Sequence, residues 1–193
     1  MSPIPAAIPE DIGRRLLGLA RQTAEAKVNA AALPPPIDAD QPPFNELRGL
    51  FVTYHVAGRL RGCIGTFQPD MPVGRLVREM AVRSLRDPRF TSSPIRSDEL
   101  PRLTVEISVL SPMWRSADPL DEFKPGVHGL LIRCGGRGGC FLPQVATETG
   151  WDGRQMLDNC CAHKAGLAPD AWRQPDAEVF LFTAQIFSEH KAD

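Results

Sequence analysis

The sequence predicts an α/β protein, of the α+β type, in which helices accompany strands joined by hairpins. Three observations favour this class. A long stretch near the N terminus has helical periodicity, several later stretches alternate apolar and polar residues, and short glycine-containing segments of hairpin length connect some of them. The 193 residues, 42% of them hydrophobic, are enough to bury a core. We expect one folding unit, built as one large domain or as two interlocked lobes.

Composition limits the partners. The chain has 22 basic and 23 acidic residues, so its net charge of −1 creates no global field that would attract nucleic acid or an anionic membrane. Nucleic acid is therefore an unlikely partner. The first nine residues lack the features of a secretion signal, and no apolar run approaches the ~20 residues that span a bilayer. We expect a cytoplasmic protein without membrane contact, whose five cysteines stay free of structural disulfides.

The first helix is predicted from Pro9 to Ala32, because apolar residues recur there at steps of three and four. Pro9 and the two carboxylates after it suit a helix start. The prolines at 34–36 end the helix, and a proline-rich connector leads to Phe44. We therefore divide the chain into an N-terminal helix and connector, residues 1–48, and a core, residues 49–187.

A hairpin follows, with strands at 51–56 and 59–66 and the turn at Ala57-Gly58. Side chains alternate across a strand, so Arg61, Cys63 and Gly65 share one face of the second strand. Residues two apart on one face are ~7 Å apart, within reach of a long side chain. Arg61 is therefore expected beside the thiol of Cys63.

A second helix is predicted after Asp70, as N-cap, with Pro72 in its first turn; Asp87-Pro88 ends it. Its basic face favours a solvated surface over a phosphate contact. The alternating segment 103–110 predicts a half-buried strand with Glu106 at its centre. Because a glutamate is disfavoured in mid-strand, Glu106 either faces water or pairs with a cation such as Arg61.

The last third of the chain mixes short elements. Residues 111–127 predict an excursion with little regular structure, and His128 then lies between two glycines before a strand at 130–134. The glycine run 135–139 predicts a flexible hairpin tip, with Cys134 and Cys140 placed symmetrically about it. Helices at 143–149 and 151–164 and a strand at 178–187 complete the predicted elements.

Cys63 is the leading candidate for chemistry, with three interpretations. In the first, it is a buried small hydrophobe. In the second, it is a nucleophilic, redox or ligand thiol activated by Arg61. In the third, it is part of a glycine bulge that turns the hairpin. His128 is either a loop histidine satisfied by backbone groups or a general base near Cys63.

A metal site is not favoured. Cys160 and His163 share a helix face, but a structural zinc site takes four ligands at paired spacings, and the spacing of Cys134 and Cys140 does not supply the second pair. We expect both Cys160 and Cys161 to pack in the core, and we expect no metal and no cofactor.

Eight segments together resemble the AMMECR domain family, whose bacterial members are called protein A of the AmmeMemoRadiSam system. The resemblance covers residues 49–187 and is most specific at 60–65. Tyr54, Cys134 and Cys140 depart from the family pattern. The segments are 51–53, 60–66, 87–90, 99–100, 106–110, 126–129, 141–146 and 164–167.

The resemblance implies a single AMMECR-type domain over 1–193, with an antiparallel sheet flanked by helices in two unequal interlocked lobes. It also implies a Memo-type protein and a radical-SAM protein as partners, and no established reaction. From the residues we expect a cysteine-dependent enzyme or enzyme component, with Cys63 as nucleophile and Arg61, Glu106 and His128 in supporting roles. The alternative is a non-catalytic binding module for proteins or RNA, with Cys63 buried in a packed hairpin.

Overall fold

The computed structural model describes residues 7–37 and 40–189, and divides the chain into two compact units. Of the described residues, unit 1 comprises 7–37, 40–110 and 185–189, and unit 2 comprises 111–184. The α-helices are α1 (Glu10–Val28), α2 (Val73–Ser84), α3 (Pro119–Glu122), α4 (Gln144–Thr149) and α5 (Gly153–Asn159). The strands are β1 (Leu50–Val56), β2 (Arg59–Thr66), β3 (Leu103–Leu110), β4 (Trp114–Arg115), β5 (His128–Cys134), β6 (Arg137–Phe141) and β7 (Glu178–Ser188).

Unit 1 is built on an antiparallel sheet with β1 at its centre, between β2 and β3. The turn between β1 and β2 is the two-residue Ala57-Gly58, and both residues have positive φ, at 50° and 75°. Such a turn matches the twist of the strands that it joins. Helices α1 and α2 pack against one face of this sheet, where alternate strand residues enter the core. The predicted hairpin and the strand at 103–110 are confirmed.

The hydroxyl of Tyr54 is a buried polar anchor in the core of unit 1. Tyr54 is fully buried on β1, and its hydroxyl donates a hydrogen bond of 3.1 Å to the carbonyl of Ala81 on α2. A buried hydroxyl is stable only when hydrogen-bonded, so this contact fixes α2 against the sheet.

Unit 2 contains the first part of β7, which pairs antiparallel with β4 and β5; β5 also pairs with β6. Helix α5 continues into one π-helical segment, Cys160–Ala165. Gly139 on β6 lies so close to this segment that a Cβ atom there would be 2.5 Å from the backbone nitrogen of Ala165. Close packing of strand and π-helical segment therefore requires glycine at this position.

Four predictions of local structure were wrong. Asp70 does not cap α2, because Pro72 is the N-cap and no side chain bonds there. The turn between β5 and β6 is only Gly135-Gly136, so Cys134 pairs with Arg137 rather than facing Cys140. Residues 111–127 contain β4 and α3. The helix predicted at 151–164 begins at Gly153 and changes to π geometry at Cys160.

Among the described residues, no helix is long and apolar enough to cross a bilayer.

Candidate functional site

The face of the unit 1 sheet opposite α1 and α2 carries three polar or ionisable side chains in one row. Cys63 on β2 is the register partner of Thr53 on β1, and Thr53 is also the partner of Glu106 on β3. All three are half-buried, whereas their neighbours Val52, Tyr54 and the other core-facing residues are buried. We call Cys63, Thr53 and Glu106 the Cys63 row. The sequence predicted two of its members but not Thr53 between them.

Thr53 contacts the sulfur directly. Its Oγ1 donates a hydrogen bond of 3.2 Å to Sγ of Cys63. A donor at this distance fixes the position of the sulfur relative to β1. This contact comes from the strand register alone, since Thr53 and Cys63 face each other across the hairpin.

The backbone of Cys63 is held by the segment after α2. The N–H of Cys63 donates to Asp87 Oδ2 at 2.9 Å, and its carbonyl accepts from Arg89 Nη2 at 3.2 Å. Asp87 in turn accepts from Arg89 Nη2 at 2.6 Å. This pairing, followed by the backbone bonds from Cys63 and Arg89, lowers the pKa of the Asp87 carboxyl from 3.8 to about 2 against the opposing effect of burial. Arg89 is therefore the guanidinium at the cysteine.

Arg61 does not lie at the thiol as predicted. Strand β2 has an irregularity here: Tyr54 pairs with Gly62 and His55 with Leu60, which leaves Arg61 as an extra residue. Such a bulge redirects a side chain. The Arg61 guanidinium forms an ion pair with Glu99, with Nη1 2.6 Å from Oε1, and Nη2 donates to the carbonyl of Ser93 at 2.8 Å.

The two glycines of β2 are explained by packing. A Cβ at Gly62 would lie 2.1 Å from the carbonyl oxygen of Ser84 on α2, and one at Gly65 would lie 2.3 Å from the carbonyl oxygen of Leu50. Gly62 faces the helix and Gly65 faces β1, so neither position serves to uncover the thiol. The glycines indicate close backbone approach, and the accessibility of Cys63 rests on its own half-buried position.

Glu106 lines a small cavity on the same sheet face. The cavity has a volume of about 270 Å³ and is also lined by His55, Thr104 and Ser188. Sequence analysis missed His55, although the alternation of β1 places it on the face of Thr53, two residues away. Glu106 is two strands from Cys63, on the far side of Thr53. The expected pairing of Glu106 with Arg61 is not what the structure shows, because Arg61 binds Glu99.

His128 belongs to unit 2, at the start of β5. Its Nδ1 accepts a hydrogen bond from the backbone N–H of Lys124 at 3.2 Å, and its ring packs edge-on against Trp114 and Phe123. Burial lowers the pKa of His128 below its ordinary value. These contacts match the interpretation of a histidine satisfied by local backbone and aromatic groups.

Three of the other four cysteines, Cys134, Cys160 and Cys161, are buried, unlike Cys63. Cys160 and Cys161 are fully buried in the core of unit 2, and burial raises the pKa of both thiols. Burial likewise raises the pKa of Cys134, whose sulfur lies 3.7 Å from Asp176 Oδ1. Within residues 7–37 and 40–189, no group of three or more His, Cys, Asp or Glu side chains could hold a metal ion.

Comparisons with known proteins place this chain in a family. A family model described as AMMECR1 matches residues 17–187. A protein from Methanothermobacter thermautotrophicus is 40% identical over 191 residues, covering 95% of this chain and 97% of that protein. One from Methanosarcina acetivorans is 41% identical over 194 residues, covering 96% of each.

A solved structure agrees with these matches. The crystal structure of the uncharacterized protein PH0010 from Pyrococcus horikoshii superimposes with a TM-score of 0.85 and 36% sequence identity, covering 95% of this chain and 94% of that one. The predicted α/β fold with an antiparallel sheet flanked by helices is thereby confirmed. The chain belongs to the AMMECR1 family.

Proposed function

We propose that the chain is a cysteine-dependent enzyme, or a component of one, in which Cys63 acts as nucleophile or transient carrier. The observation that carries the proposal is the Cys63 row. In it, the sulfur of the half-buried Cys63 accepts a hydrogen bond of 3.2 Å from Thr53 on β1, and the carboxylate of Glu106 lies beyond Thr53 on β3. A thiolate is the reactive form of cysteine, and hydrogen-bond donors and nearby cations favour it. The reduced state of Cys63 that this requires fits a cytoplasmic protein.

The roles within the row follow from position. Thr53 stabilises the sulfur anion, Arg89 supplies positive charge beside the cysteine backbone, and Glu106 lies where it can exchange a proton with a substrate bound over β1. His55 lines the cavity beside Glu106 and is a further candidate for acid-base work. The substrate is a small molecule or a modified protein. His128 remains a separate candidate for a general base, and this role rests only on its place between two glycines in the sequence.

The resemblance to the AmmeMemoRadiSam system supports a proposal about partners. We expect a Memo-type protein and a radical-SAM protein to act with this chain, the cysteine accepting or delivering the group on which they work. Co-purification of the three proteins from one host tests this. Recovery of neither partner with the tagged chain would contradict it.

A second candidate is a binding module without catalysis, and one observation favours it. Both Gly62 and Gly65 are fully accounted for by close packing, as a structural hairpin would require. In that case Cys63→Ser leaves partner binding intact, and Cys63 reacts no faster than an ordinary thiol.

The deciding experiment measures the rate of alkylation of Cys63 by iodoacetamide against pH, read by peptide mass spectrometry. We expect Cys63 to react at neutral pH several times faster than glutathione. Thr53→Val removes the donor while keeping the shape, so it should slow the reaction roughly three- to tenfold, because the sulfur loses the group that holds it in place.

Thr66→Val is the matched control. It removes a hydroxyl at the end of β2, the strand that carries Cys63, and should leave the alkylation rate of Cys63 unchanged. A Cys63 that reacts like glutathione, with no response to Thr53→Val, would contradict the enzymatic proposal.

A further inference from the structure

A cavity beside the β1–β2 turn is rich in arginine and is separate from the Cys63 row. It has a volume of about 490 Å³, within the range of small-molecule sites. Three arginines and one acidic residue line it, so its charge is predominantly positive. The lining residues are Val56, Ala57, Arg59, Arg61, Ser93, Glu99 and Arg102.

The arginines of this cavity differ in how they are paired. Arg61 is fixed by its ion pair with Glu99, and only 15% of its side chain is exposed. Hydrogen bonds from Arg61 and from the backbone N–H of Arg96 lower the pKa of Glu99, which therefore stays ionised. The single carboxylate of the cavity is thus neutralised by Arg61.

Two guanidinium groups remain available. Arg59 and Arg102 are exposed, and within the described ranges 7–37 and 40–189 neither guanidinium makes a hydrogen bond or an ion pair. The Nε of Arg61 is buried and has no hydrogen-bond acceptor among those residues. A buried donor without an acceptor is unfavourable, so a ligand that reaches it gains a strong contact.

The backbone joins the two sides of the cavity. The N–H of Ala57, in the β1–β2 turn, donates to the carbonyl of Arg102 at 3.1 Å. Arg61 ties β2 to the segment before β3 through Glu99 and the carbonyls of Ser93 and Pro94. The backbone segments that carry the cationic groups are therefore tied together, so ligand binding has to order only the exposed side chains of Arg59 and Arg102.

We infer that this cavity binds a small molecule through a phosphate group, held by Arg59 and Arg102 with the Nε of Arg61 as a fixed third donor. Planar guanidinium groups match phosphate oxygens in pairs, which a lone surface lysine does not. The ligand contacts cationic groups from two elements, the β1–β2 hairpin and the segment ending at Arg102. The inference does not depend on chemistry at Cys63, which does not line the cavity.

Isothermal titration calorimetry of the full chain with inorganic pyrophosphate tests the site. We expect saturable binding that weakens as salt is raised, and that Arg59→Gln or Arg102→Gln each weakens roughly tenfold or more. Arg61 is left intact in the test because its substitution would also break the ion pair with Glu99.

The controls separate a built site from general attraction of anions. Arg75→Gln removes another exposed arginine, on α2, and should leave the dissociation constant within about twofold. Cys63→Ser should also leave it unchanged, so failure of the thiol chemistry does not affect this result. Thermal unfolding of every variant confirms that it is folded.

Three results would overturn the inference. They are the absence of saturable binding at millimolar pyrophosphate, an equal loss of affinity in Arg75→Gln, and tighter binding of malonate than of pyrophosphate, which would identify a dicarboxylate site. A single-stranded RNA or a phosphopeptide that binds more tightly through the same two arginines would replace the small molecule by a macromolecular ligand.

Discussion

Cys63 in unit 1 and the pair Cys160 and Cys161 in unit 2 are the same residue type in opposite environments. Cys63 is half-buried on a sheet face and accepts a hydrogen bond from Thr53. Cys160 and Cys161 have no exposed surface, and burial raises the pKa of both. In the core the thiol packs as a small apolar group, whereas on the sheet face the half-buried Cys63 has a hydrogen-bond donor on the neighbouring strand.

A glycine permits close backbone packing at each of the two cysteine-bearing elements. Gly62 lets α2 approach β2 behind Cys63, and Gly139 lets β6 approach the π-helical segment that carries Cys160. In both places a glycine brings a backbone close to the cysteine-bearing element. Cys63 is nevertheless half-buried and Cys160 is fully buried, so the difference in burial does not come from the neighbouring glycines.

The largest expected effect is the difference in labelling between the two regions. In the native protein, iodoacetamide should modify Cys63 at least ~10³-fold faster than Cys160 or Cys161, because the latter react only when unit 2 opens. In concentrated guanidinium chloride the three rates should converge. Peptide mass spectrometry measures all three in one sample. Equal native rates would remove the distinction between the two regions.

Packing behind Cys63 gives the next effect. Gly62→Ala places a methyl group against the backbone carbonyl of Ser84, which cannot move without shifting α2, so the free energy of unfolding should fall by about 2–3 kcal/mol. Urea denaturation followed by circular dichroism measures it. Gly18→Ala is the control: Gly18 lies in α1 with nothing within 4 Å of the added methyl, and stability should rise by roughly 0.5–1 kcal/mol. An unchanged free energy of unfolding in Gly62→Ala would contradict the close approach of Gly62 to the Ser84 carbonyl.

The lowered pKa of Asp87 predicts how acid changes the free energy of unfolding. Its carboxyl has a pKa of about 2 in the folded protein against 3.8 as reference, so the folded state favours the carboxylate. This contribution is fully present above pH ~4 and is lost as pH falls towards ~2; it amounts to about 2 kcal/mol. Urea unfolding of Asp87→Asn at neutral pH should show a loss of that size.

The acid dependence supplies the control for Asp87. Asp87→Asn should flatten the stability profile between pH ~4 and ~2 relative to the unsubstituted chain. An unchanged profile in Asp87→Asn would show that the carboxylate does not hold the Cys63 backbone as described.

The smallest effect concerns His128 in unit 2. Its folded-state pKa lies below the unfolded value because burial disfavours the charged imidazole. The stability contributed by the neutral ring is present above the unfolded pKa of 6.5 and declines as pH falls towards the folded pKa. An NMR titration, with the signal assigned by its loss in His128→Gln, should show a midpoint below 6.5. A midpoint above that value would instead indicate a nearby anion and revive a catalytic role.

Sequence patterns predicted the elements more reliably than their ends. The period of α1 and the alternation of β1, β2 and β3 were sufficient to place them, because each pattern reflects one buried face. The N-cap of α2 and the turn between β5 and β6 were misplaced, since several residues near each end satisfy the same local rules. The π geometry at Cys160 had no signal that we recognised in the sequence.

The candidate site shows the same division. The sequence by itself determined that Cys63 and Glu106 lie on strands, and which side chains share a strand face with them. Only the tertiary structure decided which strand lies between them, which cation reaches the cysteine and where Arg61 goes, because these depend on register, on a bulge and on segments distant in sequence. Local preference acts within a few residues, whereas the pairing of Thr53 with Cys63, and of Arg61 with Glu99, exists only once the strands and loops have packed.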